Sequence, residues 1–268
     1  MQKSNSAMEF KRIVSNVRGD EHVDSTDFEQ NFAGCDCDSE CTSASACLCI
    51  RLSGGQRHYD DNGTLLTLLD SSKPIFECFA NCACHRSDGR SSCRNRVVQF
   101  GDNPKAEIFE SKVRGIGRSV RARTRISCGE FVGEYLGEVI SRQTAQQRLA
   151  QNNEIIGHNY LLTINEFFQG AFHQTYIDAR NFGAMARFIN HSCEPNLQPQ
   201  VVRVGAFTPR LALFASRDIE SGEELSYDYG FAACQRDISD VTTTRKECRC
   251  GTTTCHGFLP SFKGDFTL

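Results

Sequence analysis

No stretch of this chain is apolar enough to span a bilayer. Its apolar runs, such as Leu65-Leu66 and Leu68-Leu69, fall far short of the roughly 20 residues a spanning helix needs, so no membrane partner is expected. Met1 to Phe10 lacks a charged-then-apolar leader pattern, and an intracellular chain is expected on that ground. Positive charge is not in excess either. Lys+Arg number 30 against 33 Asp+Glu, a formal net charge of −3, which argues against a surface that grips nucleic acid through its phosphates. Direct sequence-specific nucleic-acid binding is therefore not expected. No long low-complexity segment appears. A length of 268 residues suits one large domain, or one domain with satellite modules.

Cysteine is abundant instead. Fifteen cysteines without a leader point to metal rather than disulfides, because intracellular compartments keep thiols reduced. An odd number cannot pair completely, and the tight Cys-x-Cys spacings argue further against pairing. Nine lie within 35–93, spaced Cys35-x-Cys37-x3-Cys41-x5-Cys47-x-Cys49, then 28 residues, then Cys78-x3-Cys82-x-Cys84-x8-Cys93. Zinc takes four thiolate or imidazole ligands, so about three zincs are satisfied by nine thiolates if three of them each bridge two metals. A compact structural cluster is expected, with Arg51 to Pro74 looping out of it. His58 and His85 read as surface histidines, since the cysteines close the count. Residues 1–34, polar and mixed in charge, read as a lead-in with no assignable function.

The C-terminal Cys248-Arg-Cys250-Gly-Thr-Thr-Thr-Cys255 is one ligand short of a structural zinc. Cys193 is the natural fourth, with Cys128 and Cys234 as weaker competitors. His256 adjoins Cys255, and adjacent residues rarely reach one metal without strain. A link to Cys193 would staple the tail beside Asn190-His191 and lay Phe258-Leu259-Pro260 over whatever those residues bind.

Between the cysteine-rich ends, residues 94–232 read as short strands broken by glycines. Phe131–Ile140 suggests a strand or strand pair, and Tyr160–Ile164, Val201–Val204 and Leu211–Ala215 suggest further strands. Ser141 is placed to cap a short helix through Gln151, with Ala145 and Leu149 as its apolar stripe. Ile126-Ser-Cys-Gly-Glu130 and Ile219-Glu-Ser-Gly-Glu223 echo each other, each putting a glycine turn before a strand. The domain is expected to be mainly β.

Two segments carry the chemistry. Arg187–Asn196 (RFINHSCEPN) sets Asn190 and His191 beside Cys193, and Gly222–Gly230 (GEELSYDYG) carries Tyr227 and Tyr229. A single buried tyrosine is most often a core residue with its hydroxyl satisfied, and a lone Gly-x-Gly is most often a turn. Taken as a pair, the two segments are expected to meet in space and build one site.

The nine-cysteine module, RFINHSCEPN, GEELSYDYG and the terminal Cys-x-Cys-x4-Cys together resemble the SET-domain protein-lysine methyltransferases with pre-SET and post-SET zinc modules. The likeness runs in order through residues 35–260. It implies a SET fold of small curved sheets with a C-terminal pseudoknot, flanked by two zinc-stapled cysteine modules. The pre-SET module would span 35–93, the catalytic SET domain 94–232 and the post-SET module 244–260. It implies S-adenosylmethionine against Gly115, Ile116, Gly117, Tyr160, Asn190 and His191, where glycines allow close backbone approach. It also implies a lysine channel lined by Tyr135, Tyr227 and Tyr229, with Tyr229 orienting the amine. Zinc would number three in the first module and one in the second.

Three positions depart from the family's commoner pattern. Ile116 stands where tryptophan is usual, and Gly183 is followed by Ala184 where Gly-Asn is common. Tyr227 stands where multi-methylating relatives tend to carry phenylalanine. A hydroxyl there holds a water in the space a further methyl needs, so mono- or dimethylation is expected. The implied substrate is a histone tail, which puts the enzyme in the nucleus, on chromosomes and chromatin. Counting zinc-bound thiolates as charges, the formal charge falls to about −8, which suits a basic extended peptide. Two readings compete: a methyltransferase of a non-histone protein, and an inactive zinc-stapled chromatin-binding module.

Overall fold

Arg210–Ala215 is buried along almost its whole length, because each of its faces belongs to a different core. Leu211, Leu213 and Ala215 pack into one cluster with Val132, Ile177, Ile189 and Leu225. Ala212 and Phe214 turn to the other side and pack with the cysteines of the N-terminal module. Side chains alternate across a strand, and a strand covered on both faces reads as a continuous apolar run. Full burial of a leucine or phenylalanine stabilises by about 2 kcal/mol, so this one strand binds both halves of the molecule.

The computed structural model describes residues 10–38, 40–66, 73–85, 93–113, 116–155, 160–168, 170–232 and 246–260. In chain order the elements are β1 (Lys11–Arg12), β2 (Val17–Arg18), α1 (Leu48–Leu52), β3 (Ile75–Phe76), β4 (Ala106–Glu110) and β5 (Arg118–Ala122). There follow β6 (Phe131–Tyr135), β7 (Glu138–Ile140), α2 (Arg142–Ile155), β8 (Leu161–Phe168) and β9 (Ala171–Asp178). The last are β10 (Phe182–Gly183), β11 (Asn190–His191), β12 (Leu197–Arg203), β13 (Arg210–Ala215) and β14 (Ser226–Tyr227). One sheet has the order β3-β12-β13-β6 and is the shared wall just described. The other, β2-β7-β9-β8, includes the long antiparallel hairpin β8–β9, paired from Leu161↔Asp178 to Phe168↔Ala171. β4 and β5 form a separate hairpin.

The fold is mainly β, with the expected strands present. Phe131–Ile140 is a strand pair interrupted at Leu136-Gly137. The Ser141 hydroxyl accepts the Thr144 amide at 3.2 Å, capping α2, and the helix runs beyond Gln151 to Ile155. Ala145 and Leu149 pack on Ile140, Leu161 and Tyr176, while Arg148 ties the helix to Glu138 (2.9 Å) and Asp178 (2.8 Å). The two echoed turns face one another. Ile126 and Ile219 exchange backbone hydrogen bonds of 3.0 and 2.9 Å, and Gly129 and Gly222 both take positive φ, +78° and +87°.

Residues 10–34 pair with the central strands instead of standing apart. β1 pairs with β10 and β2 with β7, both parallel, and Phe10, Val23 and Phe28 pack on the central core. The 51–74 spacer also differs from expectation. Tyr59 is fully buried, donates to Glu77 at 3.0 Å and stacks on Phe214, so much of this segment folds back onto the shared wall. His58 is buried too, not at the surface; its Nε2 lies 2.8 Å from the Ser53 carbonyl, and burial pushes its pKa down. His85 is exposed. Among the described residues no helix is long and apolar enough to cross a membrane.

Candidate functional site

The two motif segments meet through a two-residue parallel pairing, Asn190↔Ser226 and His191↔Tyr227. Ser192 N–H donates to Tyr227 O at 3.2 Å. The Asn196 side chain clamps the same seam: its amide donates to Glu224 O at 2.8 Å, and its carbonyl accepts Ser226 N–H at 2.9 Å. Asn196 lay inside the motif, but nothing in its spacing marked it as the residue that joins the segments.

The tyrosines gather at this junction. Tyr227 and Tyr229 have ring centroids 4.8 Å apart, and His191 lies 5.4 Å from Tyr229. Tyr135, on β6, is buried in the same core as Tyr227, with Tyr160 and Tyr229 packed against it. Tyr135 donates to Tyr160 O at 2.7 Å. Tyr229 is tied at both ends: its amide donates to His191 Nδ1 at 3.1 Å and its hydroxyl to Ile189 O at 2.9 Å. Burial pushes the phenols of Tyr135, Tyr227 and Tyr229 up from their ordinary value. All three therefore stay neutral near pH 7 and act through hydrogen bonds, not as phenolates.

Asn190 faces β5. Its amide donates to Ser119 Oγ at 2.7 Å and to Glu224 Oε1 at 3.4 Å. At the start of β5, Gly117 has φ +76° with open space where a Cβ would point, and the Arg118 guanidinium sits 4.3 Å over the Phe188 ring. Ile116 donates to Val113 O at 3.2 Å; Gly115 lies outside the described residues. An open glycine backbone, partly exposed Asn190 and Tyr160, and a floor of aromatic rings fit a nucleoside cofactor. Ser119 had no motif to reveal it, and Glu224, though inside GEELSYDYG, had nothing in its spacing to mark it as a partner of Asn190. Arg187 packs its guanidinium 4.2 Å from Phe10 and 4.3 Å from Tyr160, buried between rings.

Asp102 reaches the turn that follows Ala184. The Met185 and Glu134 amides both hydrogen-bond its carboxyl, whose pKa burial pushes up. The turn after Ala184 is therefore held from the bend before β4, by a residue 82 positions upstream that no local pattern could link to it.

The cysteines form two separate groups. In the N-terminal module, three sets of four Sγ atoms lie within 4.8 Å of one another: Cys35, Cys41, Cys47, Cys78; Cys35, Cys49, Cys78, Cys82; and Cys41, Cys78, Cys84, Cys93. Individual separations of 3.6 to 4.0 Å far exceed the S–S bond of about 2.05 Å. They match the edge of about 3.8 Å that four sulfurs 2.3 Å from a zinc would form. Cys37 falls outside these sets; its Sγ lies 3.8 Å from Ser45 Oγ. In the tail, Cys193, Cys248, Cys250 and Cys255 form a fourth set, with Cys193 and Cys248 sulfurs 3.9 Å apart. Cys128 sits elsewhere, its Sγ at 3.5 Å from Ser216 O, and Cys234 lies outside the described residues. The His256 amide donates to Cys193 Sγ at 3.5 Å. The donor sets fit structural zinc, which would supply cross-links where the chain is too loop-rich to hold itself.

A profile described as the SET domain matches residues 117–230, and one described as the Pre-SET motif matches residues 1–96. The probable histone-lysine N-methyltransferase set-23 of Caenorhabditis elegans is 40% identical over 255 residues, covering 94% of this chain and 97% of that protein. The chain belongs to the SET-domain lysine methyltransferase family. The methyltransferase domain of human histone-lysine N-methyltransferase SETMAR superposes with TM-score 0.79 at 33% identity, covering 97% of this chain and 92% of that one. KRYPTONITE, solved with mCHH DNA, an H3(1-15) peptide and SAH, gives TM-score 0.71 at 30% identity, covering 93% and 47%. This SET enzyme is an S-adenosylmethionine-dependent protein-lysine N-methyltransferase with cysteine clusters suited to zinc. An enzyme, and not an inactive binding module, is what these relatives and the SET profile show.

Proposed function

We propose that this SET enzyme methylates a lysine of a histone tail, adding one or two methyl groups, with Tyr229 orienting the amine. The observation that carries the reading is the double anchoring of Tyr229 at the junction of the two motif segments. Its hydroxyl proton is given to Ile189 O, so its oxygen is left to accept an N–H from the incoming lysine. That contact turns the nitrogen lone pair along the channel, and alignment of this kind supplies much of the rate. S-adenosylmethionine supplies the methyl group on a positively charged sulfur. Gly117, Ile116 and Asn190, together with Gly115 and Tyr160, are assigned to hold it. Tyr135 and Tyr227 wall the channel, and the Tyr227 hydroxyl holds one water where a further methyl would go. An amine with an ordinary pKa of about 10.4 loses its proton more readily in such a channel, beside a positive sulfur.

The same proposal divides the chain into a pre-SET module at 35–93, a catalytic domain at 94–232 and a post-SET module at 244–260. It puts three zincs in the first and one in the last. Cys78 sulfur belongs to all three N-terminal sets, whereas a thiolate bridges two metals in the count of about nine ligands to three zincs. Cys37, on the rim beside Ser45, is assigned to replace it in one set. The histone target is supported by the H3 peptide of the KRYPTONITE complex and by the acidic balance of the chain. A nuclear, chromosomal setting follows from that target.

Radiolabelled methyl transfer to core histones, with Tyr229→Phe as control, tests the assignment. Transfer is expected with the native protein and a drop in kcat of at least about 100-fold in the variant. Transfer to other proteins but never to histones would overturn the target. Mass spectrometry of product peptides tests the degree. Mono- and dimethyl-lysine are expected, with Tyr227→Phe adding further methylation; ready trimethylation by the native protein overturns the assignment of Tyr227.

A further inference from the structure

The His191 ring is held from two sides. Nδ1 receives the Tyr229 amide at 3.1 Å, and Nε2 lies 3.4 Å from Cys193 Sγ. A neutral imidazole has one donor and one acceptor nitrogen. Because Nδ1 accepts from Tyr229, the ring proton belongs on Nε2, aimed at the sulfur. The other tautomer would set an Nδ1 proton against the Tyr229 N–H, with Asp228 Oδ1 at 3.5 Å as its rival acceptor. The state of Cys193 decides between them. A neutral thiol brings its own hydrogen to the contact, for which Nε2 would have to accept; a zinc-bound thiolate has no hydrogen and can only accept. Hydrogen bonds from outside a metal's ligand set commonly orient the ligands in this way.

Building on the zinc and Tyr229 assignments above, we propose that His191 is a positioning residue coupling zinc occupancy of the tail cysteines to the seating of Tyr229. Zinc at Cys193, Cys248, Cys250 and Cys255 selects the Nε2–H tautomer. Nδ1 then takes the Tyr229 amide while Ile189 O holds the Tyr229 hydroxyl, so the residue is fixed at both ends. The coupling is reciprocal: a seated Tyr229 holds the imidazole where its Nε2–H braces the thiolate and slows zinc loss. With its ring so engaged, His191 meets the cofactor through its backbone in β11.

Nitrogen-15 NMR of histidine-labelled, zinc-loaded protein reads the tautomer directly. His191 is expected with Nδ1 bare and Nε2 protonated, whatever the methyl acceptor proves to be. Cys255→Ser, which removes a tail ligand, is expected to move His191 towards the Nδ1–H form. Zinc release into a chelator gives the second readout. His191→Leu is expected to lose the tail zinc about 10–100-fold faster and to lower kcat more than it changes KM. His191→Gln, with one donor and one acceptor, is expected to recover part of both. An Nδ1–H tautomer in the loaded protein, or a folded His191→Leu protein that releases zinc at the native rate, overturns the proposal. If both readouts behave as expected but no histone lysine is methylated, the target assignment fails and this coupling stands.

Discussion

The two cysteine groups use the same ligand chemistry in opposite surroundings. The N-terminal group sits inside a core of its own, with Cys35, Cys41 and Cys78 each 2% exposed or less, and its apolar neighbours come from the shared wall. The tail group keeps one buried thiol, Cys248, and three partly exposed ones. Its contacts run to His191 and Glu194 of the motif segment. One group is a staple that makes a loop-rich segment foldable. The other is a latch on the site, weakly buried and therefore able to respond to what the site holds. Ligand type alone does not tell a structural metal from one that matters to catalysis; the neighbours do.

The sharpest way to break this contrast is to remove the metal. Chelation of the N-terminal group is expected to unfold residues 35–93, since structural zinc contributes on the order of 10 kcal/mol to such folding. Loss of circular dichroism in step with zinc loss checks it, and retained structure in metal-free protein would sink the staple. Cys193→Ser is expected next in size: one zinc lost, most methyl transfer lost, and the nine-cysteine cluster still loaded. Metal analysis beside an activity assay decides it, and unchanged zinc content means the wrong fourth ligand.

The shared wall allows a finer cut. Leu213 and Phe214 are adjacent on β13 but face different cores. Each change to alanine is expected to cost about 3 kcal/mol. Phe214→Ala alone should speed zinc release from the N-terminal group. Equal release from both variants would mean the two cores are not separate.

The smallest effect, a pH dependence, lies on β6 of the shared wall. Burial pushes the Glu134 carboxyl up to about 7, against a lowering contribution from Arg210, whose Nη1 is 3.4 Å from Oε2. The folded state therefore holds this proton more tightly than the unfolded chain. Stability is fully present below the ordinary carboxylate value and falls as pH rises through about 7. Glu134→Gln is expected to remove that loss, a gain of about 3 kcal/mol at pH 8 that shrinks to under about 1 kcal/mol near pH 5. Thermal melts at the two pH values check the sign.

Much of this was legible in the chain. Strand positions followed from apolar runs bounded by glycine, and the cap at Ser141 from its place before α2. Other features were not. Asp102 holds the turn after Ala184 across 82 residues, and Phe10 reaches Phe188 at a ring separation of 5.5 Å, from a segment with no periodic pattern to announce it. His58 looked like a surface residue because the ligand count excluded it from metal and nothing local signalled burial.

By itself the sequence determined the residue type of the metal ligands, the order of the cysteine-rich and motif segments and the identity of the two motif segments. These are properties of residue type and spacing, which short-range chemistry constrains. Only the tertiary structure decided which sulfurs sit together, that Cys37 stands on the rim, and that Cys193 touches His191 while His191 holds Tyr229. Those choices depend on parallel pairing and on packing across a shared wall, between residues far apart in the chain. No local pattern encodes such partners, because each contact exists only once the others are in place.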